Sequence, residues 1–80
     1  MNITNTRMEN NLIDLKDCKK NKWYEIVLTC EEPRFFEVGI FPTQRIKVNA
    51  HQGGMYRIRV DNTEWAIREE QGSCIKVKEI

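Results

Sequence analysis

Three alternating stretches, close together in the chain, constrain this sequence more than any other feature. Arg45 to Ala50 puts Ile46, Val48 and Ala50 on one side, Tyr56 to Val60 puts Tyr56, Ile58 and Val60 there, and Thr63 to Ile67 puts Trp65 and Ile67 there. A period of two is a strand period, because successive side chains point to opposite faces of a sheet. A slip of one residue carries a strand's whole apolar set to the wrong face, so the linkers must obey parity. With Asp61-Asn62 as a two-residue turn, Val60 opposes Thr63, Ile58 opposes Trp65 and Tyr56 opposes Ile67. All the apolar residues then share a face, and Asp and Asn tolerate the positive φ of such turns. The same rule argues against a two-residue turn at Gly53-Gly54, which would set Val48 opposite Arg59. A three-residue loop, Gln52-Gly53-Gly54, or a five-residue one around it, pairs Ala50 with Tyr56 and Val48 with Ile58, and a longer loop is therefore expected.

Two more strands frame this block. WYEIVLTC sets Tyr24, Ile26, Leu28 and Cys30 on one face and Trp23, Glu25, Val27 and Thr29 on the other, with the β-branched and aromatic content of a strand. Ile75 and Val77 alternate with Lys76 and Lys78 after a polar break, Glu69 to Ser73, that has room for one helical turn. Asn11 to Leu15 is a short apolar entry segment, and residues 1 to 10 are polar and aperiodic, the composition of a frayed tail. Between Cys30 and Arg45 the pattern changes. Pro33 suits a first helical turn, Phe35 and Val38 share a helical face, Gly39 provides a left-handed stop and Pro42 prevents continuation. Five short strands, with one helix inserted after the first framing strand, make a mainly β domain over residues 11–80. So small a sheet must curl to bury one face, which predicts a small, partly open barrel.

Composition excludes more than it assigns. Of 80 residues, 13 are Lys or Arg and 12 are Asp or Glu, a net charge of +1, so no large field favours nucleic acid or an anionic membrane surface. The first ten residues lack the apolar run of a signal peptide, and no stretch has the length of a membrane span. A cytoplasmic location is expected, and with it reduced thiols at Cys18, Cys30 and Cys74. The cysteines lack chelate spacing and His51 is the single histidine, so no metal site is expected; Cys18, Cys30, His51 and Cys74 are the runner-up ligand set. No nucleophile–base pairing and no phosphate-binding loop is present, since Gly53-Gly54 lacks the Lys-Ser/Thr ending and opens no helix. The chain is read as no enzyme, with no cofactor.

The ordered set Leu12, Leu15, Arg34, Gly39, Ile40, Pro42, Gly53, Gly54, Ala66, Ile67, Arg68, Ile75 and Val77 resembles the ferrous-iron transport protein A (FeoA) family over residues 11–78. The resemblance implies an SH3-like barrel with an inserted helix, and a small cytoplasmic accessory of ferrous-iron uptake. It implies a partner, the cytoplasmic GTP-binding part of the membrane iron transporter, with no nucleic acid and no direct membrane insertion. The same barrel occurs fused to iron-dependent regulators, so a metal-handling or metal-sensing module is the alternative. The chain departs from the family pattern at Asp17-Cys18, Pro42-Thr43, Asp61-Asn62 and Gly72. Lacking a glycine after Pro42, the turn there is expected to be type I.

A domain without catalytic groups acts through a surface. Phe35, Phe36 and Phe41 are first of all core material, yet Phe35 and Phe36 point about 100° apart on a helix, so one ring must face outward. The surplus ring is the candidate anchor, because aromatics concentrate in interface cores. Arg34, Phe36, Glu37, Phe41 and Trp23 are the candidate partner-binding residues; the lysines at 16, 19, 20 and 22 read as a solvated loop.

Overall fold

The computed structural model describes residues 12–80, so the expectation for residues 1–10 lies outside the described residues. In chain order the elements are β1 (Ile13–Asp14), a 3-10 turn (Leu15–Asp17), β2 (Trp23–Leu28), α1 (Pro33–Val38), β3 (Arg45–Gln52), β4 (Met55–Val60), β5 (Thr63–Arg68), α2 (Glu69–Gly72) and β6 (Lys76–Glu79). The strands form one antiparallel sheet in the order β1-β6-β2-β3-β4-β5. The sheet curls so that Tyr24, Ile26, Ile46, Val48, Ile58, Val60 and Val77 enclose one core, closed at its ends by Leu15, Phe35 and Ile40. The strand beyond the expected five is β1, where Ile13 and Asp14 pair with Val77 and Lys76. Two residues carry no readable alternation, and this strand exists because β6 offers an edge and Lys76 Nζ reaches Asp14 Oδ1 at 2.5 Å.

α1 has the bounds that its punctuation implies. Pro33 opens it and Gly39 ends it at φ 92°. The Ile40 N–H donates to the Phe35 carbonyl at 2.8 Å and the Gly39 N–H to the Phe36 carbonyl at 3.2 Å, the paired bonds of a Schellman stop. Phe35 and Ile40 are both buried, so the stop drives the chain into the core.

The β4–β5 hairpin has the parity-derived register in full: Val60 opposite Thr63, Ile58 opposite Trp65, Tyr56 opposite Ile67, with Asp61 at φ 57°. The β3–β4 hairpin does not. Val48 opposes Ile58 as expected, but Gln52 opposes Met55, so the turn is the two-residue Gly53-Gly54 turn after all. Parity is restored within β3, where the register shifts between Val48 and Ala50 and Asn49 becomes an unpaired bulge residue. Ala50 therefore leaves the core face and opposes Arg57, and His51 takes the place opposite Tyr56.

A second bulge corrects the β2 reading. The β2–β6 register shifts between Ile26 and Leu28, and Leu28 turns out to solvent, 51% exposed. The turn after Pro42 is also corrected. Gln44 N–H donates to the Phe41 carbonyl at 3.1 Å and Thr43 sits at φ 82°, a type II turn rather than type I. The turn is clamped to β2, Thr43 N–H donating to the Ile26 carbonyl at 2.9 Å and Ile26 N–H to the Gln44 carbonyl at 2.8 Å. Those two bonds hold a β-branched residue in a conformation that costs on the order of 1 kcal/mol.

Cys30 and Cys74 are joined by a disulfide, against the expectation of free thiols; Cys18 stays free. The antiparallel register explains the meeting. Leu28 opposes Lys76, so two residues beyond one and two before the other face each other, with Cα atoms 5.4 Å apart. A sequence separation of 44 hides a juxtaposition made by a bulged strand pair.

Candidate protein-docking site

α1 divides the three phenylalanines by its period. Phe35 points inward and is buried, while Phe36, one step round the helix, is 72% exposed. Phe41 returns beside it after the Schellman stop, half-buried, with ring centroids 5.3 Å apart and planes tilted by 37°. The two rings border a groove of ≈ 360 Å³ whose other wall is the loop from β2 into α1, Thr29 to Glu32. The sequence reading left open which ring is surplus to the core, and in the structure it is Phe36. The buried wall of the groove is Phe35 and Ile40, so its floor is core and its rim is aromatic and acidic.

The other named residues do not join this patch. Arg34 and Glu37 are exposed on the opposite flank of α1, where they border a second groove of ≈ 390 Å³ with Val38, Trp65, Ala66 and Ile67. Trp23 lies elsewhere again, over a shallow depression with Thr43, Gln44, Arg45 and Asp61. It opposes Lys47, whose Nζ sits 5.0 Å from the indole centroid. Trp65 is the residue that sequence reasoning missed. Alternation assigned it to the core face, and it is on that face, but β5 is an edge strand and the indole is 36% exposed at the barrel mouth. Its alternation with Ile67 signals the face; nothing in the sequence signals the edge.

The runner-up metal residues are dispersed by their partners. Cys30 and Cys74 are consumed in the disulfide. His51 Nε2 lies 2.6 Å from Glu69 Oε2, and its ring stacks on Tyr56 with centroids 4.1 Å apart. Burial, then the carboxylates of Asp17 and Asp14, push the Cys18 thiol up to about 11, so it stays protonated and a poor ligand at neutral pH. Among the described residues, no three His, Cys, Asp or Glu side chains are grouped to hold a metal ion. The Lys76 hydrogen bond holds the Asp14 carboxyl below its ordinary range, a local effect at the β1–β6 edge. No helix among the described residues is long and apolar enough to cross a membrane.

No protein-family model matches the sequence. No curated protein matches it either. Solved structures do match. An iron uptake regulatory protein, FeoA, superposes with a TM-score of 0.76 at 18% identity, over 86% of this chain and 97% of that one. The fold is that of FeoA. A manganese-dependent transcriptional repressor superposes with a TM-score of 0.75 at 18% identity, over 86% of this chain but 42% of its own. The FeoA-like barrel is thus also found as part of a longer, metal-dependent regulator. On the FeoA fold, eight of the thirteen residues that carried the sequence resemblance are structural: Leu15, Ile40, Ile67, Ile75 and Val77 are core, and Gly39, Gly53 and Gly54 occupy positive φ.

Proposed function

We propose that this chain is a small non-catalytic accessory of ferrous-iron uptake, which docks on the cytoplasmic GTP-binding part of the iron transporter. The observation that carries the reading is Phe36, a large aromatic 72% exposed beside Phe41 on the rim of an apolar-floored groove. Leaving such a ring in water costs solubility, and it is the kind of side chain that anchors an interface core. The FeoA fold supplies the iron-uptake context, and a surface is all the chemistry that the reading needs. The partner lays an apolar side chain in the groove against the paired rings of Phe36 and Phe41, over Phe35 and Ile40, while Glu31 and Glu32 at the rim select against acidic competitors. Residues Arg34, Glu37 and Trp23 lie off this groove and contribute rim contacts at most. On this reading the chain holds no tight iron or zinc ion by itself, and it resides in the cytoplasm with its partner, where the Cys30–Cys74 disulfide is exceptional.

Phe36→Ala tests the reading against the transporter's soluble domain. Truncating an exposed ring should leave thermal stability within about 0.5 kcal/mol. Binding should weaken by about 2 kcal/mol, some thirtyfold, as at an interface anchor. Unchanged affinity in the folded variant removes this surface from the partner contact. The repressor match supports one other reading, a module serving a metal-dependent regulator. Binding to such a regulator, with none to the transporter domain, would favour it.

A further inference from the structure

The last strand of the sheet's run, β5, has one partner among the described residues, β4. Among the described residues its other edge is open, and open edges are templates for further pairing unless the strand blocks them with proline, a bulge or an inward charge. β5 has none of these: it is TEWAIR, its register against β4 is unbroken, and its core-facing positions are Thr63, Trp65 and Ile67. Five of its six residues are exposed.

Which backbone groups face the open edge follows from the turn. Residues flanking a two-residue hairpin loop exchange both hydrogen bonds, so Thr63, Trp65 and Ile67 point their N–H and C=O groups at β4. Glu64, Ala66 and Arg68 point theirs outward. Arg68 is already used, because its N–H donates to Gln71 Oε1 at 2.9 Å where α2 begins. The free edge is therefore Glu64 and Ala66.

We infer that this edge pairs antiparallel with the same edge of a second copy, with Trp65 opposite Trp65 of that copy on a two-fold axis. Three self-complementary registers bring outward groups together. Centring the pair on Glu64 puts two carboxylates face to face, which repels. Centring it on Ala66 needs the Arg68 N–H that Gln71 occupies. Centring it on Trp65 uses Glu64 and Ala66 alone. Each Glu64 then opposes Ala66 across the axis, and the four free donors and acceptors of each strand's pair of residues are matched. Charge agrees: each Glu64 lies diagonal to Arg68 of the other copy, twice by symmetry, within reach of two long side chains. The indoles meet in the closely spaced, non-hydrogen-bonded position, covering the groove between α1 and β5 that Trp65 leaves open. A central tryptophan is the residue type that most often dominates interface energy. The Phe36–Phe41 groove lies on the other flank of α1 and stays free, so this pairing stands or falls apart from the docking reading.

Sedimentation velocity over a concentration series on the full chain should show a monomer–dimer equilibrium. Ala66→Pro deletes an outward N–H without touching the β4 ladder; it should keep the circular dichroism spectrum and abolish the dimer. In a Cys18→Ser background, Trp65→Cys places two thiols on the axis at about 4.5 Å between Cα atoms, within disulfide range, and mild oxidation should trap a covalent dimer. Ala66→Cys in the same background should not cross-link. A monomer at every concentration, a dimer that Ala66→Pro leaves intact, or cross-linking through position 66 rather than 65 would overturn the proposal.

Discussion

The two hairpins of β3, β4 and β5 share a central strand and end in two-residue turns, yet they solve the register problem differently. In β4–β5 the turn alone aligns the apolar residues, and every pair from Val60–Thr63 to Tyr56–Ile67 follows without interruption. In β3–β4 the Gly53-Gly54 turn is out of phase with the apolar pattern, and a bulge at Asn49 absorbs the odd residue. Parity is a property of the whole ladder, so one extra residue corrects it equally well in the loop or in the strand. The bulge has its own support: Asn49 Nδ2 donates to Glu64 Oε2 at 3.0 Å, tying the bulged strand to the regular one. It also delivers His51 to the Tyr56 ring and to Glu69.

Single-residue deletions should break the comparison most sharply. Removing Glu64 slips β5 by one residue and turns both Trp65 and Ile67 away from the core, a loss of about 3 kcal/mol or more that abolishes cooperative folding in so small a domain. Removing Asn49 leaves Val48–Ile58, Ala50–Arg57 and His51–Tyr56 paired as they are and merely regularises the ladder. Its cost should stay near 1 kcal/mol, the bond to Glu64, in urea unfolding. Equal losses for the two deletions would mean that the bulge is needed for the fold.

The shared strand is tested next through its anchor, Tyr56. A Cβ on Gly72 would stand 2.7 Å from Tyr56 Cε2, inside any real contact distance, which is why glycine occupies this helical position. Gly72→Ala should destabilise by about 2 kcal/mol despite the better helix propensity of alanine, because the ring must shift against His51 and Ile67. A variant as stable as the parent would show that Tyr56 is free to move.

The smallest expected difference lies in the turns themselves. Gly53 sits at φ 62° with nothing within 4 Å of a built Cβ, so Gly53→Ala meets only the left-handed backbone penalty, about 1 kcal/mol. Asp61 already bears that conformation at φ 57°, and Asp61→Gly should gain a few tenths of a kcal/mol at most, since Asp is among the residues that tolerate it and its carboxylate loses the weak 3.5 Å contact from Gln44. Thermal melts of the pair should therefore move in opposite directions.

Much of the barrel was legible because its signals are local. Alternation marks strands, Pro33 and Gly39 bracket α1, and the Asp61-Asn62 register follows from parity without any knowledge of the sheet. The candidate site was legible only in part. Helical period separates Phe36 from Phe35, so an exposed ring was foreseeable. That Arg34 and Glu37 fall on the far flank of α1, and Trp23 on another surface altogether, depends on how α1 packs over the sheet.

By itself, then, the sequence determined the element types, the face of each regular strand, the helix stops and the surplus aromatic, all of which follow from periods of two and 3.6 and from the backbone limits of proline and glycine. Only the tertiary structure decided the rest. Where β3 and β2 bulge, which strand lies at an edge, that Thr43 is held at φ 82°, and that Cys30 meets Cys74 are outcomes of pairing between distant segments. Each is set by the requirement that neighbouring strands satisfy their hydrogen bonds and bury their apolar faces together, and no single strand contains that information.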